Sequence, residues 1–227
     1  MLVAIEGIDG AGKGTLTRNL VRLAKADGVD AVSLAFPRYD DTRFGKLIGQ
    51  YLNGRFGRLD EVPVRFAALL YAGDRHESRA ELLRLLAAHE LVILDRYIAS
   101  NMAYNGAKLP EGEREALLNW IDEVEYELFE LPPPDLTCLL ETGAETADRL
   151  LARKPARSYT SNQRDLHESE HGYMKRVAEV YQYLSENDRR GAWFRCRTQN
   201  ADGKLLPPKE IAAEVWHRIR VSLTLGS

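Results

Sequence analysis

Two cysteines in 227 residues are too few to staple a fold. A disulfide scaffold needs several pairs, whereas Cys138 in the apolar run LTCLL and Cys196 in WFRCR read as small buried hydrophobes in a reducing compartment. Long hydrophobic runs are missing as well: none approaches the roughly 18 residues of a membrane span. Glu6 and Asp9 interrupt the N-terminal stretch where a signal peptide needs its apolar region. Nor is there an excess of positive charge. Lys and Arg number 31 against 34 Asp and Glu, and the net charge of −3 argues against the broad basic footprint of a nucleic-acid binder. There is no internal repeat and no low-complexity segment. The expectation is a soluble, cytoplasmic protein that touches neither membrane nor nucleic acid. With 44% hydrophobic and 29% charged residues it can bury a substantial core as a single domain, 1–227.

What the chain does have is alternation. Short apolar runs with the length of buried strands lie at 2–6 (LVAIE), 31–36 (AVSLAF), 91–95 (LVILD), 136–141 (LTCLLE) and 193–197 (WFRCR). Helical periodicity fills about 13–27, 44–52, 62–88, 97–105, 112–130, 144–152, 165–187 and 208–223. Continuous apolar strands separated by helices predict an α/β protein, a parallel sheet covered on both faces. Ligands should gather at the carboxyl ends of its strands. The run Pro132-Pro133-Pro134 is a stiff connector before the fourth strand.

The first strand leads straight into a glycine-rich loop, GIDGAGK, and the spacing Gly7-x4-Gly12-Lys13 satisfies the phosphate-binding pattern. Glycines let the backbone turn tightly and approach a polyphosphate. Consecutive N–H groups and the positive end of the next helix face the anionic oxygens, and Lys13 reaches the outer phosphates as a point charge. Gly7, Ile8, Asp9, Gly10, Ala11, Gly12, Lys13, Gly14 and Thr15 are therefore expected to bind a nucleoside triphosphate. Gly14 stands where Ser or Thr usually supplies a hydroxyl to Mg²⁺. That ligand must then shift to Thr15 or be replaced by water, which Mg²⁺ tolerates because it keeps several waters anyway. No Asn-Lys-x-Asp guanine signature follows, so a kinase is favoured over a regulatory switch.

More polar groups fall at strand ends. The second strand runs into Phe36-Pro37-Arg38-Tyr39 and the third into Asp95-Arg96-Tyr97. Asp95 can orient a metal-bound water, and Arg96 offers a planar fork to a phosphate. Taken with Asp74-Arg75 and Ser100-Asn101-x2-Tyr104, in this order and approximate spacing, the motifs resemble those of thymidylate kinases, most nearly the mycobacterial and actinobacterial type, over residues 2 to about 186.

The resemblance implies a three-layer P-loop kinase fold with strand order 2-3-1-4-5, a homodimer, and transfer of a phosphoryl group from ATP to dTMP with Mg²⁺. It also implies residue roles. Phe36, beside Pro37, stacks on thymine. Arg75 and Asn101 hydrogen-bond the base edge, near Ser100. Arg96, with Arg38 and Tyr39, holds the acceptor phosphate. Tyr104 closes the sugar pocket against a 2′-hydroxyl, and Asp9 lies near sugar, phosphate and metal, with Asp9, Thr15 and Asp95 as candidate Mg²⁺ ligands. Asp165 and Glu168, at i and i+3 on one helix face, resemble the acidic pair that faces the acceptor sugar.

Residues 149–164, RLLARKPARSYTSNQR, hold five basic residues and no acidic one. A basic run is usually a solvated face, but in the family this segment is a lid over ATP. The phosphate loop has no arginine of its own, so the resemblance assigns the transition-state cation to Arg153, with Arg149 second. His167-Glu168-Ser169-Glu170-His171 also spells the H-E-x-x-H zinc-protease pattern, yet no third ligand stands out. That reading, an adenylate-type kinase, and a P-loop regulatory module are the weaker alternatives.

Overall fold

In a computed structural model, described for residues 1–58, 61–151, 172–188 and 190–225, five parallel strands form one sheet in the order β2-β3-β1-β4-β5. They are β1 (Leu2–Glu6), β2 (Ala31–Ala35), β3 (Leu91–Asp95), β4 (Leu136–Glu141) and β5 (Ala192–Arg197). The expected strands and their order are both found. The central strands are the most apolar because helices cover both faces. β1 is buried along its length, and so are β3 up to Asp95 and β4 up to Glu141, while the edge strands β2 and β5 alternate with solvent.

α1 (Lys13–Ala26) follows the phosphate loop and packs on α9 (Pro208–Leu225) beneath β1 and β3. On the other face, α5 (Ile98–Gly106) packs against α3 (Val64–Glu77), α6 (Glu111–Asp122) and α8 (Tyr173–Asn187). α2 (Arg43–Leu52) lies on α3 around a small satellite core of Ile48, Tyr51, Leu52, Val62, Ala67 and Leu70.

Two expected helices are divided. The periodic stretch 62–88 breaks at Ser78 into α3 and α4 (Arg79–Ala88). Ser78 Oγ donates to the Asp74 carbonyl at 2.9 Å, a local bond that competes with the helical ladder. The stretch 112–130 leaves α-helix after Asp122 and continues as a π-helical turn, Glu123–Leu128. α7 (Ala144–Leu151) confirms the start of the expected helix at 144–152. The lid beyond residue 151 and the first part of the expected helix at 165–187 lie outside the described residues.

Candidate active site

The carboxyl ends of β1, β2 and β3 meet the amino end of α1 and one face of α5 around a cavity of about 310 Å³. The loop on its donor side is shaped by backbone that other residues rarely adopt. Gly7, Gly10 and Gly12 have φ of +141°, +84° and +98°. Gly10 also has no room for a side chain, since a Cβ there would stand 2.1 Å from the Ala147 carbonyl oxygen of α7. Lys13 is buried and its Nζ donates to the carbonyls of Gly7 (2.8 Å) and Ile8 (2.9 Å). Burial, reinforced by the nearby Arg96 charge, lowers its pKa from 10.5 to about 7.

Gly14 leaves space for a carboxylate. A Cβ there would lie 3.0 Å from Asp95 Oδ2, so the missing hydroxyl of the loop motif coincides with an acid brought in from β3. Thr15, the alternative hydroxyl, is exposed and takes Arg18 Nη2 at 3.3 Å instead of facing the cavity.

Arg96 sits at φ +70°, a left-handed conformation that costs a non-glycine residue on the order of 1 kcal/mol or more. Its N–H is held by the Ile5 carbonyl at 3.0 Å, and its Nη2 pairs with Asp9 Oδ1 and reaches the Tyr104 hydroxyl at 3.5 Å. Strain is thus kept at the point where a guanidinium enters the cavity beside the loop. Phe36 is almost wholly buried, precedes a cis peptide to Pro37, and lies 6.2 Å from the Tyr97 ring centroid. Pro37, Tyr39, Ser100, Asn101 and Tyr104 join it on the wall.

Arg38 does not line the cavity. Its guanidinium turns to Glu81, to Asp41 (3.1 Å) and to Ser78 (3.4 Å). Arg149 donates to Thr146 at 3.0 Å on α7 and is likewise absent from the wall. Arg153, Asp165, Glu168 and both histidines of the H-E-x-x-H pattern lie outside the described residues.

Three buried acids lie behind the wall, and none of them has a role assigned from the sequence, although Asp74 stands in the Asp74-Arg75 motif. Glu6, at the end of β1, accepts the N–H groups of Tyr97 (2.7 Å) and Ser100 (3.2 Å) and the hydroxyls of Ser100 (2.5 Å) and Tyr181 (2.8 Å). The Ser100 hydroxyl is therefore committed to the protein. Asp74 accepts the Arg38 N–H at 3.0 Å and the Thr42 hydroxyl, which anchors the turn after β2. Burial raises its pKa above the ordinary carboxylate value. Glu125, on the π-helical turn, takes Arg75 Nε and Nη2 at 2.5 and 2.6 Å in a fully buried bidentate pair. A charge ending an otherwise apolar strand was a readable signal for Glu6. Glu125 sits in the acidic stretch EVEYELFE, where nothing marks one glutamate from the next.

A phosphate loop, a strained arginine and an aromatic wall in one cavity describe an enzyme that handles two phosphorylated ligands. The thymidylate kinase family model matches residues 5–190. The chain belongs to the thymidylate kinase family. It is 36% identical to the thymidylate kinase of Mycobacterium tuberculosis over 194 residues, 86% of this chain and 90% of that protein. It is 37% identical to that of Xanthomonas campestris over 169 residues, 73% and 67% of the two chains. The structure of thymidylate kinase from Candida albicans superposes with a TM-score of 0.69 at 25% identity, covering 97% of this chain and 91% of that one. The family's P-loop kinase fold is the one seen here, and the chain is a nucleotide-binding phosphotransferase. Among the described residues no helix is long and apolar enough to cross a membrane.

Proposed function

We propose that this chain transfers the γ-phosphoryl group of ATP to the 5′-phosphate of dTMP, giving ADP and dTDP. The observation that carries the reading is that the phosphate loop and the Arg75, Asn101, Phe36 set open onto one cavity. An acceptor base held by the second would present its 5′-phosphate toward the first. An oxygen of that phosphate attacks the γ-phosphorus, and the bond to the β–γ bridging oxygen breaks. There is little covalent chemistry for the protein to do, so its task is alignment, charge neutralisation and exclusion of water.

The roles follow from position. The loop N–H groups and Lys13 hold the donor phosphates. Arg96 holds the acceptor phosphate, exchanging its contact with Asp9 for phosphate oxygens. Phe36 covers the thymine face, Arg75 and Asn101 read its edge, and Tyr104, held against Arg96, closes the sugar side. Arg38 reaches the phosphate only by leaving Glu81. Residues 149–164 form a lid of the same single domain, from which Arg153 supplies the cation at transfer, and Asp165 and Glu168 follow at the sugar.

Mg²⁺ suits this donor set. Asp9 and Asp95 line the cavity beside the loop, and among the described residues no group of three or more metal-binding side chains exists. An ion satisfied by one or two carboxylates, waters and substrate phosphates fits, and when bound it neutralises phosphate charge. Both cysteines are free and buried, in keeping with a cytoplasmic enzyme. The apolar face of α3 is the surface through which two copies pair.

A panel of nucleoside monophosphates offered with ATP and Mg²⁺, followed by ADP release, tests the reading: dTMP should be the best acceptor by a wide margin, and faster turnover of AMP or CMP would refute the base assignment. In the same assay Arg153→Ala should lower kcat by about 10³-fold while the dTMP Kd stays within a few-fold, because that cation acts mainly in the transition state. A normal kcat removes the lid mechanism.

A further inference from the structure

Behind the base-reading wall runs a hydrogen-bond chain whose direction is set at both ends. Lys108, just past the end of α5, donates from Nζ to Asn105 Oδ1 at 2.7 Å and to the Tyr51 hydroxyl at 2.8 Å. Asn105 Nδ2 donates to Asn101 Oδ1 at 2.7 Å and to the Asn101 backbone carbonyl at 3.2 Å. Asn101 Nδ2 donates to Glu125 Oε1 at 2.7 Å and to the Ala68 carbonyl at 3.0 Å. Glu125 ends the chain and also receives Nε and Nη2 of Arg75.

The two ends of an amide have nearly the same shape, so only the chemistry of the neighbours distinguishes oxygen from nitrogen. Here the neighbours agree. An ammonium cannot accept, and backbone carbonyls and a carboxylate cannot donate. Reversing either asparagine would set donor against donor at Lys108 or acceptor against acceptor at Glu125, in a buried region where unmet polar groups are costly.

This direction decides what the wall can offer. Both amide hydrogens of Asn101 are engaged within the protein, and Oδ1 has one lone pair left, so Asn101 can only accept. Arg75 has given one N–H each from Nε and Nη2 to Glu125, and the N–H groups that remain, two on Nη1 and one on Nη2, can only donate. One acceptor beside one donor matches the N3–H and O4 of a 4-oxo pyrimidine. Cytosine presents the opposite pattern, a lone pair at N3 and an amino group at C4.

We infer that Glu125 and Lys108 are specificity-determining positioning residues, which fix the amides of Asn105 and Asn101 and the guanidinium of Arg75 from behind so that the pocket accepts a 4-oxo pyrimidine and rejects a 4-amino one. The inference rests on the dTMP reading of this cavity. Glu125 is the stronger pole. Burial lowers the pKa of Lys108 from 10.5 to about 7, so its end is held as an ammonium only below that pH.

The test measures kcat/KM for dTMP, dUMP and dCMP, below neutrality, in the wild type, Glu125→Gln and Lys108→Met. Glutamine keeps the volume but brings a donor to a site that needs acceptors, so the dTMP-to-dCMP ratio should fall roughly tenfold or more, with dUMP tracking dTMP. Lys108→Met should move the ratio the same way by less. A purely structural role would lower activity on all three acceptors alike, and ratios unchanged within about twofold in both variants overturn the inference. If Glu125→Gln does not fold, Lys108→Met decides by the same criterion. A wild type that prefers dCMP overturns the dTMP reading and the inference with it, whereas a wild type selective for dTMP with unmoved variant ratios overturns the inference alone.

Discussion

Lys13 shows how a single residue is tuned by its surroundings. Its Nζ is bound by two loop carbonyls, yet burial and the Arg96 charge bring its pKa down to about 7. Somewhat above neutrality the side chain of the nucleotide-free protein is therefore mostly uncharged. A triphosphate favours the ammonium and raises that pKa, so ATP binding should take up close to one proton near pH 8 and progressively less as the pH falls below 7. Titration calorimetry in buffers of differing ionisation enthalpy reads the uptake directly, and Lys13→Met should remove it. A wild-type binding heat independent of buffer would contradict the assignment. The role of Lys13 was legible from its place in the motif. Its depressed pKa was not, because that depends on Arg96, 83 positions away in the chain yet beside it in the fold.

Among the elements, the phosphate loop and α7 approach too closely for a side chain at their join. Gly10 needs a left-handed φ and also stands against the Ala147 carbonyl, so Gly10→Ala meets both a backbone penalty and a backbone clash. It should destabilise the chain by about 2 kcal/mol or more, seen as a lowered Tm, and weaken ATP binding well beyond dTMP binding. An unchanged Tm would mean that loop and helix do not approach so closely. Strands and helix α1 were legible because their periodicity is strong and the loop punctuates it. The break at Ser78 and the π-helical turn at Glu123–Leu128 were not, since each follows from a local hydrogen bond or a packing demand that leaves the apolar pattern unbroken. That turn nonetheless carries Glu125 to the Arg75 guanidinium.

At the scale of the whole molecule, exposed apolar side chains stand together on α3. Phe66 and Leu69 are 46% and 39% exposed, and Phe56 packs edge-on against Phe66 with centroids 6.1 Å apart. Adjacent exposed aromatic and aliphatic side chains are a common mark of an interface. On the homodimer reading, Phe66→Glu should convert a dimer to a monomer at micromolar concentration, measured by sedimentation velocity, without unfolding it. A wild type that sediments as a monomer, or a variant that remains dimeric, would remove α3 from the interface.

The sequence by itself determined the order of strands and helices, the phosphate loop, and the motifs that place the chain in its family, because these depend on local periodicity and on residues adjacent in the chain. Tertiary structure alone decided which charges meet. It turned Arg38 toward Glu81, brought Asp95 into the space that Gly14 leaves, and set Glu125 behind Arg75 and Asn101. The physical reason is that a sheet stacked between helices brings together residues tens of positions apart in the sequence, and a charge that is buried there, as in the Arg75–Glu125 pair, must find its partner in space.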